Sequence, residues 1–353
     1  MRDTVPEWVL SDSHTARTTI SAWRGGELLA EDVPIDSGAM SGDASSSVPW
    51  RTTLRTTPDL MPRAVTDPLS VYGQRLSIQQ TISAGGQSWT VNLGWALVQA
   101  VSARDTGVDV EALSLDQLIL DYRFESPYVR APSAMYSGVL RDLARGVLPV
   151  SVVGLTDRAV GSTLTQNWDE DRMSALRGLA TNWPADIRVD DTGVLLATPE
   201  REVGDPVRAW VHGEASAYVT IGTDAIRDEI YNAVVARGED ANGNPVQATA
   251  VDNVTSSPTY YYGPFGRRPR FYESPLITTK TQALASAASV LRRELRRTRQ
   301  ITVQAPPDPR LELLDTVAVT DDTGTITVGL LTGIDLPLTA QDGAATYTVS
   351  RET

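Results

Sequence analysis

The sequence contains no cysteine, and only two of its 353 residues are histidine. Without cysteine there can be no disulfide bond, thiolate nucleophile, iron–sulfur cluster or cysteine-ligated zinc site. His14 and His212 lie far apart, and neither belongs to an H-E-x-x-H spacing, so a histidine-based metal site is not expected either. We predict that the chain binds no metal ion and no cofactor.

The sequence also lacks long apolar runs. Its longest apolar stretches, such as 147–155, are much shorter than the about 18 residues that a membrane-spanning helix needs. The first residues, MRDTVPE, are too polar for a secretion signal. We therefore expect no membrane insertion, and synthesis and assembly in the cytoplasm.

Catalytic motifs are missing as well. The sequence has no G-x-S-x-G elbow, no G-x-x-x-x-G-K-[ST] loop and no G-x-G-x-x-G turn. Carboxylate pairs such as Asp190 with Asp191 occur at turns and helix starts, where capping explains them. A carboxylate-based hydrolase would need two such groups facing each other across a cleft, which the sequence alone does not place. We predict a protein without catalytic residues.

Composition indicates a folded chain with an acidic surface. Hydrophobic residues make up 41%, as in ordinary globular proteins, and the length corresponds to two or three units of about 150 residues. The net charge of −13 opposes a general electrostatic grip on nucleic-acid phosphates or anionic lipids.

The N-terminal third reads as short strands broken by turns. Segments rich in Thr, Val, Ile and Trp alternate with breaks such as Gly25-Gly26 and Gly85-Gly86. This spacing is typical of a β-barrel or sandwich. The predicted strands are 18–23, 27–35, 48–56, 70–82, 88–93, 96–103 and 108–112.

Helical periodicity begins at Ser114, where Ser114 and Gln117 have the form of a capping box. Further helices are predicted at 136–145 and 169–183, with strands at 150–153, 186–189 and 194–197. Strands then return at 208–211, 217–221, 231–236 and 246–251. A loop at 257–275 and a helix at 279–297 precede the closing strands 301–304, 316–320, 325–335 and 346–350.

These elements predict a β-rich, mixed α+β chain of four parts. The first β unit spans 1–112, and a small α/β module spans 113–206. The second β unit combines 207–240 with 298–353, and a loop and helix insertion occupies 241–297. The β-rich regions at both ends suggest a duplicated domain.

One turn resembles half of a calcium loop. Asp240, Asn242 and Asn244 alternate as cation ligands do, but Pro245 and Val251 stand where such a loop needs a glycine and its last ligand. We interpret the segment as a hairpin turn.

The region 260–310 is positively charged within an acidic chain, with nine arginines and Lys280 against three carboxylates. Its basic and aromatic residues form a candidate interface to another subunit, to an acidic partner or to passing DNA. The alternative is a solvated helix face paired with the chain's own carboxylates. The candidate interface residues are Arg267, Arg268, Arg270, Tyr272, Arg292, Arg293, Arg296 and Arg297.

Several phrases resemble phage tail hub proteins, the baseplate hub or minor tail proteins of long-tailed phages. In the C-terminal half these are YNAVVARG at 231–238, SPT at 257–259, GPFGRRP at 263–269, the alanine-rich helix 281–297 and PPDPRLELLDTV at 306–317. In the N-terminal half LMP at 60–62, VYGQRL at 71–76 and VNLG at 91–94 match the first barrel of that family. The resemblance covers nearly the whole chain.

The resemblance implies a virion protein of the tail tip. In that family each subunit carries two barrels like those of the tail tube protein, so a homotrimeric ring presents six barrels and adapts a six-fold tube to a three-fold tip. Its implied partners are the hexameric distal tail or tail tube protein, the tape measure protein and downstream tip or fibre proteins. DNA would be a partner only in transit through the channel.

Two other functions remain open from the sequence. One is a carbohydrate- or receptor-binding tail protein, and the other is a carboxylate-based cell-wall hydrolase. Many relatives continue into a hydrolase or a fibre-like extension, whereas this sequence ends at Thr353 soon after the second β region. We therefore expect partner proteins to bind the receptor and cleave the cell wall.

Overall fold

Strands dominate the structure, a computed structural model that describes residues 2, 5–11, 13–104, 106–126, 128–129, 133–160, 171–215, 218–221, 230–240, 242–297 and 300–351. For residues 11, 221, 296, 297 and 351 only the backbone is described. Within these ranges the helices are α1 Glu7–Ser11, α2 Asp116–Asp121, α3 Tyr136–Ala144, α4 Arg172–Asn182 and α5 Lys280–Arg297. No helix in the described part of the chain is long and apolar enough to cross a membrane.

The strands fall into an N-terminal set, a middle set and a C-terminal set. The N-terminal set is β1 Thr15–Arg24, β2 Glu27–Ala30, β3 Ser37–Asp43, β4 Trp50–Thr56, β5 Gln74–Ala84, β6 Gln87–Arg104 and β7 Gly107–Ser114. The middle set is β8 Val150–Val152, β9 Ala185–Val189 and β10 Leu195–Pro199. The C-terminal set is β11 Arg208–Val211, β12 Tyr218–Ile221, β13 Ala233–Glu239, β14 Pro245–Val251, β15 Pro269–Glu273, β16 Gln300–Ala305, β17 Thr316–Thr320, β18 Ile326–Pro337 and β19 Ala345–Arg351.

Thirteen strands from both ends of the chain form one sheet. Its order is β12-β16-β19-β18-β3-β4-β7-β6-β5-β1-β2, with β17 also paired to β18 and β11 paired to β17. In the described residues β2 and β12 each pair on one side only, so no ladder closes the sheet into a barrel. The two β regions that the sequence predicts separately are therefore joined by backbone hydrogen bonds.

Alternating apolar residues explain why these segments form strands with one buried face. In β5, Leu76, Ile78, Gln80 and Ile82 are buried, while the residues that alternate with them are partly exposed. In β19, Tyr347 and Val349 follow the same pattern and lie in the same hydrophobic core as the β5 residues. Burying each such side chain contributes about 1.5 to 3 kcal/mol, so the two β regions stabilise each other through one shared core.

Strand β6 is a single strand, although the sequence predicts two strands, 88–93 and 96–103. Gly94, with a φ of 134°, lies at the point where the β5–β6 register shifts. A glycine can adopt this backbone conformation within a bulge, so the strand continues where a turn was expected.

Strand β3, which the periodicity misses, has few large apolar residues. Its sequence is SGAMSGD, in which only Met40 is buried. Gly42 lies opposite Trp50, and a Cβ at Gly42 would collide with the Trp50 ring. The strand exists because β4 and β18 provide hydrogen-bond partners on both sides.

The middle of the chain forms the α/β module. Strands β8, β10 and β9 make a small sheet, and α2, α3 and α4 pack with it around a second hydrophobic core. The predicted capping box at Ser114 is wrong, because the Ser114 hydroxyl donates to Asp116 at 2.8 Å and Leu115 occupies the N-cap position without a side-chain cap. At α4 the Asp171 side chain does cap, by accepting from the Ser174 N–H at 2.9 Å. The predicted start of this helix at Asp169 lies outside the described residues.

The insertion is a third small unit. Strand β13 pairs with β14 and with β15, and α5 packs on this sheet around a third core. The predicted loop 257–275 thus contains strand β15, and β13 lies in this sheet, whereas the sequence analysis places residues 207–240 with the second β unit.

Three hairpins have the same type of turn. Asp190, Asp240 and Asp321 each accept backbone N–H groups from the residues two and four positions later. A glycine with a positive φ follows in each turn, at Gly193, Gly243 and Gly324. The Asp240 carboxylate is thus occupied by its own turn, as expected for the interpretation of 240–244 as a hairpin.

Candidate subunit interface

The two β regions have the same strand order. The N-terminal region runs β3-β4-β7-β6-β5-β1, and the C-terminal region runs β12-β16-β19-β18-β17-β11. The order in which the strands occur along the chain also agrees. In both regions the strands of this sheet order are the second, third, sixth, fifth, fourth and first to occur in the sequence. The four ladders from β3 to β5 and their counterparts from β12 to β17 are all antiparallel.

The match extends to single residues. The β6–β7 register shifts between Val98 and Ala100, and the β18–β19 register shifts between Leu331 and Gly333, at the same place in the corresponding ladder. Alignment on these bulges superposes buried residues on buried residues. The aligned pairs include Leu54 with Val303, Leu76 with Val317, Ile78 with Val319, Val110 with Tyr347 and Ala112 with Val349.

The two regions also differ. Strand β1 is antiparallel to β5, whereas its counterpart β11 is parallel to β17. Strand β2 has no counterpart among the described residues, and the C-terminal region carries the insertion with α5 between β12 and β16. The shared order and bulge support a duplicated β unit in which one edge strand has changed direction.

The two β units meet at an antiparallel ladder. The C-terminal part of β18 pairs with β3, from Gly333 opposite Asp43 to Pro337 opposite Ala39. The Ser41 hydroxyl donates to Asp335 across this ladder at 2.8 Å. Within one chain, the edge strand β3 of the N-terminal β unit therefore binds the C-terminal β unit.

A charged junction holds the N-terminus against both the C-terminal β unit and the α/β module. The Arg2 guanidinium donates to the carbonyl of Pro309 at 3.0 Å and to that of Leu93 at 3.1 Å. It also lies 3.9 Å from Asp191 and 4.0 Å from Glu312. Burial would raise the pKa of Glu312, but the attractions of several positive charges, among them Arg2 and Arg188, together outweigh it, and the pKa lies below its usual range.

The segment 306–317, which carries part of the resemblance, is the centre of this junction. Arg310 is buried and donates to both oxygens of Asp308, to Glu7 and to the Val5 carbonyl. Asp315 accepts from Arg201 at 2.9 Å. The charged residues of the segment 306–317 thus join the N-terminal residues, the α/β module and the C-terminal β unit.

Two of the predicted interface arginines of α5, Arg292 and Arg293, have partners inside the chain. Arg292 and Arg293 both pair with Glu200, which is only 3% exposed, and the two arginines are about a third exposed. Glu200 also accepts from the Ser289 hydroxyl at 3.2 Å. The helix face that carries these charges therefore packs on the α/β module. The side chains of Arg296 and Arg297 lie outside the described residues.

The remaining candidates lie on the insertion. Arg270 pairs with Glu294 of α5, and the Tyr272 hydroxyl accepts from Asn182 at 3.4 Å. The backbone N–H of Arg268 donates to Asn232. Arg267 is exposed and its guanidinium lies over the rings of Tyr261 at 5.1 Å and Tyr262 at 5.9 Å.

Two buried polar residues that were not predicted from the sequence, Asn232 and Asp252, organise the loop at 252–268. Asn232 donates to the carbonyls of Thr259 and Gly266 at 2.9 and 2.7 Å. Asp252 accepts from the hydroxyls of Ser257 and Thr259. Both lie in or near phrases that carry the resemblance, and Tyr262 of the loop and Phe271 of β15 are more than half exposed.

One buried carboxylate lies next to the junction. Burial raises the pKa of Asp116 to about 6, although Ser114 and the Val189 N–H donate to it. Burial also raises the pKa of Asp186 and Asp191 nearby. Among the described residues no group of three or more His, Asp or Glu side chains is placed to hold a metal ion.

Replacing Asp116 by Asn should change how stability depends on pH. The folded pKa of about 6 lies above the about 3.9 of an unfolded aspartate, so the wild type loses stability relative to the variant as the pH rises from 4 to 6. Between pH 4 and pH 7 the difference in free energy of unfolding should move by about 2 to 3 kcal/mol in the variant's favour. Asp121→Asn removes an exposed carboxylate from the same helix as a control. A difference that is constant over this range would contradict the buried charge.

A double-mutant cycle tests the contact between α5 and the α/β module. Arg292→Ala should destabilise the chain by about 1 to 2 kcal/mol, because Glu200 loses a charged partner while staying buried. In a Glu200→Gln background the same substitution should cost less than about 0.5 kcal/mol. Lys280→Ala, at an exposed residue of the same helix, controls for loss of charge. Equal losses in both backgrounds would show that Arg292 does not act through Glu200.

No protein-family model matches this sequence, and no curated protein matches it. Solved structures do match. A tail protein from Neisseria meningitidis MC58 has a TM-score of 0.65 at 14% identity, over 95% of this chain and 97% of that one. The 43 kDa tail protein of prophage MuSo2 from Shewanella oneidensis has a TM-score of 0.64 at 13% identity, over 94% and 98%.

A third similar structure is the E. coli c3393 protein, described as a component of the type VI secretion system with structural similarity to the T4 bacteriophage tail proteins gp27 and gp5. It has a TM-score of 0.50 at 12% identity and covers 96% of this chain and 77% of its own. At such identities the likeness concerns the fold. Over nearly its whole length, this chain has the fold of phage tail proteins.

Proposed function

We propose that this chain is a structural protein of a phage tail and forms the hub of the tail tip. Three copies would make a ring that adapts the six-fold tail tube to a three-fold tip and encloses the channel for the tape measure protein and DNA. The observation that carries the proposal is the duplicated strand order, with its shared bulge, at the two ends of the chain.

The duplication supplies the symmetry argument. A ring of three chains, each with two equivalent β units, offers six equivalent units to a hexameric neighbour. The units of one chain are already joined side by side through β3 and β18. Such a head-to-tail contact is heterologous, and repeated heterologous contacts close a ring when the rotation fits. We propose that the two β units are the tube-protein-like barrels of the resemblance.

Further support comes from the fold and the charge. Tail proteins from two bacteria match the chain over more than nine tenths of its length. A net charge of −13 suits a conduit, because DNA phosphates are repelled by acidic walls and pass without binding. The α/β module and the insertion would lie outside the ring of β units and contact the tube, the tip or fibre proteins. The chain would reside in the virion and have no enzymatic role.

A carbohydrate-binding tail protein is the second candidate. Tyr122, Phe124 and Tyr128 line an open groove of about 620 Å³, and aromatic rings often pack on sugars. Arg172, however, lies 4.5 Å from the centres of both the Tyr122 and Phe124 rings. Two ring faces are thus already covered, which favours the structural role.

The ring predicts a defined mass. Light scattering on the purified chain at high concentration should show a species of three times 38.1 kDa. On dilution the mass should fall back to that of one chain, because contacts between chains dissociate as the concentration falls, whereas the β18–β3 ladder lies within one chain. A chain that stays monomeric at every concentration, and also in the presence of its tube protein, would contradict the proposal. Binding to glycans without assembly would favour the second candidate.

A further inference from the structure

The β18–β3 ladder, the joint within the chain, has a counterpart in the duplicated order, and neither of the two counterpart strand segments has a strand partner there among the described residues. In the joint, the C-terminal part of β18 pairs with the outer edge of β3. The corresponding part of β6 is residues 100–104, and the counterpart of β3 is β12. In the described ladders, residues 100–104 pair with β7 on one side only, and β12 pairs only with β16.

We propose that residues 100–104 of β6 in one copy pair antiparallel with β12 of the next copy. This contact repeats the β18–β3 joint between chains, and each copy supplies one edge of each kind. The inference rests on the proposed ring and names the surfaces that close it. With three copies, three joints within chains alternate with three joints between chains.

The bulges fix the register of the proposed contact. Ala100 corresponds to Gly333, since both follow the bulge, and so Ala103 corresponds to Leu336 and Arg104 to Pro337. On the other strand, Ile221 corresponds to Met40. Met40 lies opposite Thr52 of β4, and Ile221 lies opposite Ile301, the counterpart of Thr52 in β16. Leu336 and Pro337 pair with Met40 and Ala39. The proposed contact therefore places Ala103 opposite Ile221 and Arg104 opposite Thr220.

Both edges are exposed within the described part of the single chain. Residues 100 and 102–104 of β6 are exposed, and so are Tyr218 and Thr220 of β12, with Tyr218 58% exposed. An unprotected edge strand attracts another strand, and proteins usually prevent this with charges or proline. Strand β12, with the sequence YVTI, has neither, and residues 100–104 have only Arg104. The same edges that would be a liability in a monomer become the contact in a ring.

Strand β2 is the rival partner that the controls test, because it ends the strand path that begins at β12. The duplication argues against it. In the part of the C-terminal unit that the structure describes, no strand corresponds to β2, so the β18–β3 joint provides no template for a contact through β2. A control at Leu28 in β2 separates the two possibilities.

The absence of cysteine permits a clean cross-linking test. Directly opposed residues of antiparallel strands have Cα atoms about 4.5 to 5.5 Å apart, within the range for a disulfide. On mild oxidation, the Arg104→Cys/Thr220→Cys variant should give covalent trimers on a non-reducing gel. An equimolar mixture of the two single variants should give dimers only, because each joint takes one residue from each copy.

Two control variants complete the design. Ser41→Cys/Asp335→Cys lies across the joint within the chain and should form a disulfide without any gain in mass. Leu28→Cys/Thr220→Cys offers the rival edge and should stay monomeric on the gel. If the reduced Arg104→Cys/Thr220→Cys variant fails to elute as the wild type does, the neighbouring pair Ala103→Cys/Ile221→Cys replaces it.

The outcomes separate this inference from the proposed function. If the wild type is a trimer by light scattering but neither β6–β12 pair cross-links, the edge assignment is overturned and the ring stands. Cross-linking through Leu28 instead would also overturn it in favour of β2. If the wild type is monomeric throughout, the ring and the edge pairing fail together.

Discussion

The ladder between β18 and β3 is the contact on which the rest of the architecture depends. It joins segments about 290 residues apart in sequence, and it makes one sheet and one hydrophobic core from both ends of the chain. Strand β18 can do this because it is long: its first part pairs with β17 and its last part with β3, while β19 pairs along its other side. A β unit that offers one edge to its own copy within a chain is suited to offer the equivalent edge to another chain.

Charged and polar side chains then fix the smaller units to this sheet. Arg2, Arg310 and the segment 306–317 tie the N-terminus to the C-terminal β unit and the α/β module. Glu200 and Asn182 attach helix α5, Asn182 by accepting from the Ser286 hydroxyl at 2.9 Å. Glu200, Asp308 and Arg310 are buried, so removing a partner leaves a buried charge without full compensation, and these ion pairs specify orientation more than they add stability. Arg292 and Arg293 thus have a role inside the chain, and charge reversal at these two positions would place carboxylates against Glu200.

Local patterns in the sequence predict the elements with strong periodicity. They fail for strands that form because a neighbouring strand pairs with them. Strands β11 and β17 have the predicted bounds, and α3 and α5 differ from them by one residue. Strand β3 was missed because its order comes from β4 and β18 rather than from its own side chains, and β15 because it is the edge of a sheet formed by the insertion. The pairing of Arg292 with Glu200, 92 residues away, has no local signal. The duplication was suggested by the two β-rich ends, but the shared bulges at Gln99 and Thr332 emerge only from the ladders.

Electron cryo-microscopy of the assembled tail tip, reconstructed without imposed symmetry, tests the central claim most directly. The account predicts six β units around one channel, three from each end of the chain in alternation, joined edge to edge in a continuous ring of sheet. Three-fold symmetry should be visible in the α/β modules and insertions, while the β units alone approach six-fold symmetry. A tip in which this chain contributes a single β unit to the channel wall, or lies outside the wall altogether, would contradict the account.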